Sequence, residues 1–260
     1  MQGELAFHKY EGLGNDFILV DDATASPPHA SQEIPARALC DRHFGIGADG
    51  VLLLLPPVTP GAHARMRVIN ADGSVPEMCG NGLRCAVLHI ASARGLREVL
   101  FDTDAGPRAC SVDAAGSVTV DMGVVAITGE ATLEDVPFVL ADSGNPHAVT
   151  VREATRETIE RIGPRVSTHA MFPHGTNVEF ARFGPDGVDL VVWERGVGIT
   201  LACGTGACAT VAVGVARGLV ARGTETPVRL PGGTLFITVT DRAIMRGPAR
   251  HVFSGTMVRR

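Results

Sequence analysis

The sequence predicts an α+β protein built from two pseudo-symmetric halves, each a curled mixed or antiparallel β-sheet wrapped around a central buried helix. Short stretches in which apolar and polar residues alternate dominate the chain, as in half-buried strands. A second observation is an internal duplication. Cys79-Gly-Asn-Gly82 and Cys203-Gly-Thr-Gly206 are separated by nearly half of the chain, and each opens a segment that ends in Ala-Arg-Gly-Leu. We therefore expect one buried helix in each half.

The predicted strands include residues 16–20, 65–69, 117–121, 188–192 and 234–238, and several of these segments alternate apolar and polar residues. Hairpin turns are predicted at Ala115-Gly116 and at Gly184-Pro-Asp-Gly187, because Gly, Pro and Asp favour tight turns.

Four segments are predicted as helices. One spans residues 32–43, with Ser31 as its cap, and another spans residues 153–162. The segment 80–94, which stops at Gly95, is apolar nearly all round and so indicates a helix surrounded by protein. The segment 204–217, which stops at Gly218, has valines that alternate as in a strand, and its similarity to segment 80–94 decides for a helix.

Other landmarks follow the same duplication. Gly14-Asn15 and Gly144-Asn145 precede their cysteines by similar distances, and Asn70 and Glu194 each lie equally far ahead of theirs. We predict one half at residues 1–125, together with a C-terminal strand at 246–260, and the other at residues 126–245.

The composition argues against several classes of protein. The chain has 260 residues, 45% of them apolar and 20% charged, which are values typical of soluble globular proteins and not of disordered ones. The formal net charge is −5 and the arginines are scattered, so no basic footprint for nucleic acid is present. No apolar run reaches membrane-spanning length, and no leader is evident at the N-terminus. We expect a cytoplasmic protein that binds neither nucleic acid nor membrane.

The lysine content argues against pyridoxal phosphate. This cofactor forms a Schiff base with a lysine, and Lys9 is the only lysine in the sequence. No phosphate-binding glycine loop surrounds Lys9, so we expect chemistry without a cofactor.

Each Cys-Gly-x-Gly motif places a thiol where a loop enters a helix. Unpaired backbone N–H groups and the positive end of the helix dipole favour anions there, so we expect both thiols to have a pKa below the usual value of about 8.5. The glycines allow a bound carboxylate to approach the backbone. If the two halves face each other, Cys79 and Cys203 can remove a proton from one face of a carbon and return one to the other face. That transfer inverts the stereocentre.

The remaining cysteines have simpler interpretations. Cys40, Cys85, Cys110 and Cys208 are expected to pack in cores, which suit small thiols. The cysteine spacings fit a metal site poorly, so no metal is predicted. A disulfide between the two motif cysteines is expected only as a side reaction under oxidation.

The motifs resemble the diaminopimelate epimerase family over nearly the whole chain. The similar segments are Gly12-Leu-Gly-Asn-Asp-Phe17, Asn70-Ala-Asp-Gly-Ser74, Met78-Cys-Gly-Asn-Gly82, Gly144-Asn-Pro-His147, Thr176-Asn-Val-Glu-Phe180, Glu194-Arg-Gly-Val-Gly198 and Leu201-Ala-Cys-Gly-Thr-Gly-Ala-Cys208. The resemblance implies cofactor-independent epimerisation of LL-2,6-diaminoheptanedioate to the meso isomer, in the synthesis of lysine and peptidoglycan precursors. It also implies a homodimer.

The resemblance implies roles for individual residues. Cys79 and Cys203 are implied as the acid and base, and His147 and Glu194 as residues that tune the pKa of the thiols. The implied substrate-binding set is Asn15, Asn70, Gly80, Asn81, Asn145, Asn177, Glu194, Arg195, Gly204 and Thr205. Arg195 can bind a distal carboxylate bidentately, and asparagines both donate and accept. The alternatives are structural: an ion pair for Arg195, turns or caps for the asparagines, and a satisfied structural residue for His147 or Glu194.

Three residues depart from the common pattern of the family. Gly50 stands where a substrate-binding Gln is frequent, which leaves that contact in doubt. Ile199 stands where Glu is frequent, and Trp193 where Tyr is frequent. We expect these differences to affect affinity or selectivity and not the class of reaction.

Two rival functions stay open. A proline or hydroxyproline racemase of the same two-thiol superfamily would act on a substrate with one amino-acid end, and the polar side chains of Asn70, Asn177, Glu194 and Arg195 would then be surplus. A non-catalytic thiol sensor would form a regulatory disulfide and exchange no α-proton.

Overall fold

The computed structural model describes residues 4–23, 35–76 and 78–258. The chain divides into two compact units, one formed by Met1–Val120 with Gly247–Arg260 and the other by Asp121–Arg246. Every helix in the described ranges is too short or too polar to span a lipid bilayer.

Strands dominate both units. The elements of the N-terminal part of the chain are β1 (Glu4–Gly12), β2 (Asn15–Asp21), α1 (Ala36–Cys40), β3 (Gly50–Leu55), β4 (Ala64–Asn70), α2 (Gly80–Arg94), β5 (Glu98–Thr103), β6 (Gly106–Val112) and β7 (Val118–Gly123). Those that follow are β8 (Ala126–Leu133), β9 (Val136–Asp142), β10 (Pro146–Thr150), α3 (Arg156–Ser167), β11 (Asn177–Gly184), β12 (Gly187–Glu194), β13 (Gly198–Ile199), α4 (Gly204–Ala216), β14 (Thr226–Leu230), β15 (Gly233–Val239), β16 (Ala243–Gly247) and β17 (Arg250–Val258).

The strands of the first unit pair in the order β17-β1-β2-β3-β4-β5-β6-β7. The pairs β2–β3 and β4–β5 are parallel, and the other pairs are antiparallel. The C-terminal strand β17 therefore belongs to the sheet of the N-terminal unit. Helices α1 and α2 each lie between two parallel strands in sequence, as crossover connections require.

The strands of the second unit pair in the order β8-β9-β10-β11-β12-β14-β15-β16. Here β10–β11 and β12–β14 are parallel, and the other pairs are antiparallel. The order of parallel and antiparallel pairs is the same as in the first unit, and the crossover helices α3 and α4 occupy the places of α1 and α2. The predicted fold, α+β with two pseudo-symmetric halves, is confirmed.

The two helices that follow the cysteine motifs are the most deeply buried. In α2, all residues from Gly80 to Val87 are buried, and the helix contacts strands β1 to β6 and β17. In α4, all residues from Gly204 to Gly214 are buried, and the helix packs against β9, β10, β11 and β15. Because a helix that is apolar on every face needs protein on every face, the sheet of each unit is built around one such helix.

The predicted strands and central helices are confirmed, but two other helices differ from the prediction. Helix α1 ends at Cys40 and not at residue 43, because the carboxylate of Asp41 accepts hydrogen bonds from the N–H groups of His43 and Phe44 and forms a turn. Its predicted start and cap lie outside the described residues. Helix α3 begins after Thr155, which caps it, and continues to Ser167. The apolar face formed by Ile159, Ile162 and Val166 extends this helix beyond its predicted end.

Candidate active site

Cys79 is the N-cap of α2, as the sequence predicts. Its backbone is extended, and its Sγ accepts a hydrogen bond from the N–H of Gly82 at 3.3 Å. The carbonyl oxygen of Cys79 accepts the first helical hydrogen bond, from Leu83. The thiol thus takes the place that a Ser or Asp side chain fills in ordinary helix caps.

Cys203 is the N-cap of α4 with the same geometry. Its Sγ accepts from the N–H of Gly206 at 3.4 Å and lies 3.5 Å from Oγ1 of Thr205. Its carbonyl accepts from Ala207. Both thiols therefore bond to the third N–H of their helix, which leaves each at the electropositive end of a buried helix.

The prediction that both thiols have a lowered pKa is wrong for Cys203. Burial raises the pKa of this thiol well above its ordinary value, and the nearby carboxyls of Glu194 and Glu179 raise it further. Hydrogen bonds from Thr205 and Gly206 act in the opposite direction but do not prevail. The loss of solvent around a buried sulfur outweighs the field of the helix. Cys203 is consequently a neutral thiol in this state.

Glu194 lies at the end of β12, beside Cys203. Burial raises the pKa of its carboxyl, and hydrogen bonds from Thr200 and from the thiol of Cys203 lower it. The bond from Thr200 Oγ1 to Glu194 Oε1 measures 2.6 Å. A carboxyl hydrogen-bonded to a thiol can exchange a proton with it.

His147 lies on β10 and is buried between two oxygen atoms. Its Nδ1 is 2.7 Å from Oε1 of Glu179, and its Nε2 is 2.8 Å from Oδ1 of Asn145. Glu179 belongs to the neighbouring parallel strand β11 and is fully buried. The hydroxyl of Ser143 lies 3.4 Å from Oδ1 of Asn145 and 3.3 Å from the carbonyl oxygen of Thr205, so it links Asn145 to the first turn of α4.

Glu179 is a residue of this site for which the sequence predicts no role, although it lies within the motif Thr176-Asn-Val-Glu-Phe180. The available signal was a carboxylate in the middle of Asn177-Val-Glu-Phe-Ala181, an otherwise mostly apolar strand. A buried charge in such a strand needs a partner. Its partner His147 is distant in sequence and becomes a neighbour only through the pairing of β10 with β11.

The first unit places several of the predicted substrate-binding residues in one hydrogen-bonded chain. Asn81 Nδ2 donates to Oδ1 of Asn15 at 3.2 Å, and Asn15 Nδ2 donates to Oδ2 of Asp49 at 2.8 Å. The buried guanidinium of Arg84 donates to Oδ1 of Asn81 at 2.9 Å. Both amides are thereby held in one orientation beside the Cys79 motif. Asn70 ends β4 and donates from Nδ2 to Ser74.

Asn177 and Arg195 are tied to one another in the second unit. The amide oxygen of Asn177 accepts from the backbone N–H of Arg195 at 3.0 Å, and its Nδ2 donates to the carbonyl of Pro146 at 3.2 Å. The guanidinium of Arg195 donates to the carbonyl of His174, and the residue is exposed. Asn177 thus shapes the backbone that carries Glu194 and Arg195.

The model of the diaminopimelate epimerase family matches residues 7–128 and 139–252. A diaminopimelate epimerase of Gloeothece citriformis is 44% identical, covering 96% of this chain and 98% of that protein, and one of Synechocystis sp. is 44% identical over the same shares. The chain belongs to the diaminopimelate epimerase family.

Solved structures share the fold at lower identity. A predicted epimerase of Pseudomonas aeruginosa has a TM-score of 0.73 at 16% identity and covers 97% of this chain and 99% of its own. A hydroxyproline epimerase from Agrobacterium vitis, with bound trans-4-hydroxy-L-proline, has a TM-score of 0.70 at 18% identity and covers 99% of this chain and 94% of its own. These likenesses concern the architecture of the diaminopimelate epimerase fold.

Packing accounts for the three departures from the family pattern. A Cβ atom on Gly50 would lie 2.9 Å from the carbonyl oxygen of Ile69, so this backbone has no space for the usual side chain. Trp193 and Ile199 are cross-strand partners, and both pack against the apolar cluster under α3. In this member of the family, the latter two side chains contribute to a core.

The other four cysteines are buried, and Lys9 takes part in an ion pair. Cys40, Cys85, Cys110 and Cys208 are buried, and burial raises the pKa of Cys40 to about 11. The ammonium of Lys9 lies 2.6 Å from Asp16 and donates to the carbonyl of Gly47.

Proposed function

We propose that this chain is a cofactor-independent epimerase that converts LL-2,6-diaminoheptanedioate into meso-2,6-diaminoheptanedioate, in the synthesis of lysine and peptidoglycan precursors. The family supports the substrate and the pathway. The observation that carries the mechanism is that both units build the same thiol cap at the start of a buried helix. A single cysteine could serve packing, but a duplicated thiol cap suits a reaction with two opposed proton transfers.

The proposed reaction begins when one thiolate removes the α-proton from an amino-acid end of the substrate. The negative charge then spreads into the adjacent carboxylate. Backbone N–H groups of Gly80, Asn81, Gly204 and Thr205 lie in the first turns of the two helices, where they can donate to that charge. The second thiol returns a proton from the opposite face, which inverts the centre.

The raised pKa of Cys203 supports one choice of first roles in this scheme. Because Cys203 is a neutral thiol in the present state, it would donate the proton, and Cys79 would act as the base. In the reverse direction the roles exchange. Glu194, hydrogen-bonded to Cys203, would receive or supply the proton that resets this thiol between turnovers.

The polar side chains around the thiols would bind the rest of the substrate. Asn15 and Asn81 in the first unit are held by Asp49 and Arg84 and suit a ligand that carries ammonium and carboxylate groups together. Arg195 would bind the distal carboxylate, and Asn70, Asn145, Asn177 and Glu194 would complete the site. The substrate has an amino acid at each end, which explains so many polar groups.

The direct test replaces each thiol. Cys79→Ala and Cys203→Ala should each lower the rate of epimerisation by a factor of about 10²–10⁴, which is the contribution typical of a general acid or base. Cys110→Ala is the matched control, since this cysteine is buried in β6 and takes no part in the proposed site. Wild-type rates in either thiol variant would refute the two-thiol mechanism.

The rival functions predict different substrates. The fold shared with a hydroxyproline epimerase makes a proline-type racemase the alternative within the superfamily. Incubation with LL-diaminopimelate and with proline in deuterated water, under reducing conditions, separates them. Exchange into proline alone would favour that rival, and a thiol sensor would exchange deuterium into neither compound.

The proposed homodimer would use the exposed apolar side chains of β17. Val252, Phe253 and Val258 on this strand are 47%, 46% and 59% exposed, and apolar side chains grouped on one exposed strand are typical of an interface. Phe253→Lys should convert a dimer into a monomer in light scattering. Val58→Lys, which changes a residue that is 72% exposed elsewhere, is the control. A monomeric wild-type chain would refute the dimer.

A further inference from the structure

Burial of the Glu179 carboxyl is unfavourable in free energy, and packing alone does not require a carboxyl at this position. The residue is 0% exposed, and its Oε1 bonds to His147, but its Oε2 has no hydrogen-bond partner among the described residues. An unsatisfied buried carboxyl oxygen opposes folding. Native proteins retain few such groups, and each of them needs an explanation.

The distances around His147 determine where its hydrogens lie. The amide oxygen of Asn145 can only accept, so Nε2 of His147 must carry a hydrogen. At 2.7 Å, Nδ1 and Oε1 of Glu179 must share a second hydrogen, because two lone pairs would repel. The imidazole and the carboxyl therefore hold two hydrogens together and form a neutral pair. Burial raises the pKa of Glu179, which helps this pair retain the second hydrogen.

The first unit shows what the same place contains when only packing is needed. By strand register, Phe17 and Leu52 occupy the positions of His147 and Glu179. A Cβ on Gly82 would lie 2.7 Å from the Leu52 side chain, and a Cβ on Gly206 would lie 2.7 Å from Oε1 of Glu179. The fold accepts an apolar pair against its central helix in one unit and has a polar pair in the other.

Two other ionisable groups face this pair. The carboxyl of Glu194, at the end of β12, and the thiol of Cys203, before α4, both interact electrostatically with Glu179. Neither is its hydrogen-bond partner among the described residues. The hydrogen bond of Glu179 is directed to His147, and through the ring to Asn145.

We propose that Glu179 is a positioning residue, which acts through His147 to turn the amide oxygen of Asn145 toward the imidazole and its amide nitrogen away from it. This inference rests on the proposed function, in which Asn145 binds substrate. The amide nitrogen is then presented as a donor for a substrate carboxylate. Without a held hydrogen at Nδ1, a neutral imidazole could reverse its tautomer, and the amide could reverse with it.

Two variants of Glu179 separate positioning from folding. Glu179→Leu copies the residue that the first unit carries at this place, so the chain should fold with a Tm at or above that of the wild type. Its kcat/KM should fall on the order of 100-fold, as is typical when the group that orients a functional histidine is removed. Glu179→Gln can still donate to Nδ1 and should stay within about tenfold of the wild type.

A double-mutant cycle tests the route through Asn145. If Glu179 acts by orienting that amide, Glu179→Leu should have little further effect on kcat/KM, less than about threefold, in an Asn145→Ala background. Equal losses in both backgrounds would overturn the proposal. Asp102→Asn is the control for a buried carboxyl, because Asp102 accepts from the N–H groups of Val58 and Thr59 outside the site. It should change stability and leave kcat/KM unchanged.

A spectroscopic readout keeps this test independent of activity. In protein labelled with ¹⁵N-histidine, the His147 signal, assigned by its loss in His147→Gln, should show a hydrogen on Nε2 in the wild type and in Glu179→Gln. In Glu179→Leu it should show a mixture of tautomers. An unchanged tautomer in Glu179→Leu would overturn the proposal. Absence of turnover in the wild type would refute the proposed function alone, since the spectrum needs no substrate.

Discussion

The sulfur of Cys203 shows how two local effects compete at one residue. The helix N-terminus and the hydrogen bonds from Thr205 and Gly206 favour a thiolate, whereas burial and two nearby carboxyls favour the thiol. Desolvation prevails, because the residue is only 6% exposed. The sequence predicts the helix terminus, and the family resemblance implies Glu194 as a residue that tunes the thiols, but Glu179 comes near the sulfur only because β11 packs beside α4.

Alkylation of Cys203 should reflect this raised pKa. In a Cys79→Ser chain, the rate at which iodoacetamide modifies Cys203 should rise with pH, because the thiolate is the reactive form. The midpoint of this rise should lie at a higher pH in the folded chain than for the same peptide in the unfolded chain. Glu194→Gln should move the midpoint to lower pH, since it removes a negative charge beside the sulfur. Peptide mass spectrometry identifies the site. A midpoint at or below that of the unfolded chain would contradict the assignment of a neutral thiol.

At the scale of single elements, α3 is fixed by one close contact. Gly163 lies where an added Cβ atom would be 2.7 Å from Cγ of Trp193. Trp193 in turn packs with Ile199 against the apolar face of this helix. The glycine therefore compensates for the bulky indole.

Gly163→Ala should destabilise the protein despite the better helix propensity of alanine. The gain from propensity is about 1 kcal/mol, whereas overpacking of a tight core typically costs about 1–3 kcal/mol. We expect a net loss, measured by chemical unfolding. Arg161→Ala, at an exposed position of the same helix, should change stability by less than about 0.5 kcal/mol. A more stable Gly163→Ala protein would contradict the packing described for Trp193.

Elements with local signals at both ends were predicted well. Helix α2 begins after the cap Cys79 and ends at Gly95, whose φ of 65° suits glycine, so both bounds agree with the sequence. Helices α1 and α3 were misjudged because Asp41 and Thr155 act through side-chain bonds that alternation of apolar residues does not predict. The contact between Glu179 and His147 depends on strand pairing, so the sequence contains only a weak signal that predicts it.

At the scale of the whole molecule, duplication explains the arrangement of the chemistry. The two units share one order of strand pairing, and each places a thiol at the same point of the same helix. They differ where Phe17 and Leu52 in one unit correspond to His147 and Glu179 in the other. A symmetric scaffold thus provides two thiols, and in one unit burial and the carboxyls of Glu194 and Glu179 raise the pKa of Cys203.

The most direct test of the two-thiol reaction follows where deuterium goes. Protein equilibrated in deuterated water is mixed with LL-diaminopimelate, and the reaction is stopped before much product has formed. Product should carry deuterium at the inverted carbon, because the donating thiol holds a solvent deuteron, and recovered substrate should carry almost none. Equal deuterium in recovered substrate and product would mean that one group both removes and returns the proton, and would contradict the roles of Cys79 and Cys203.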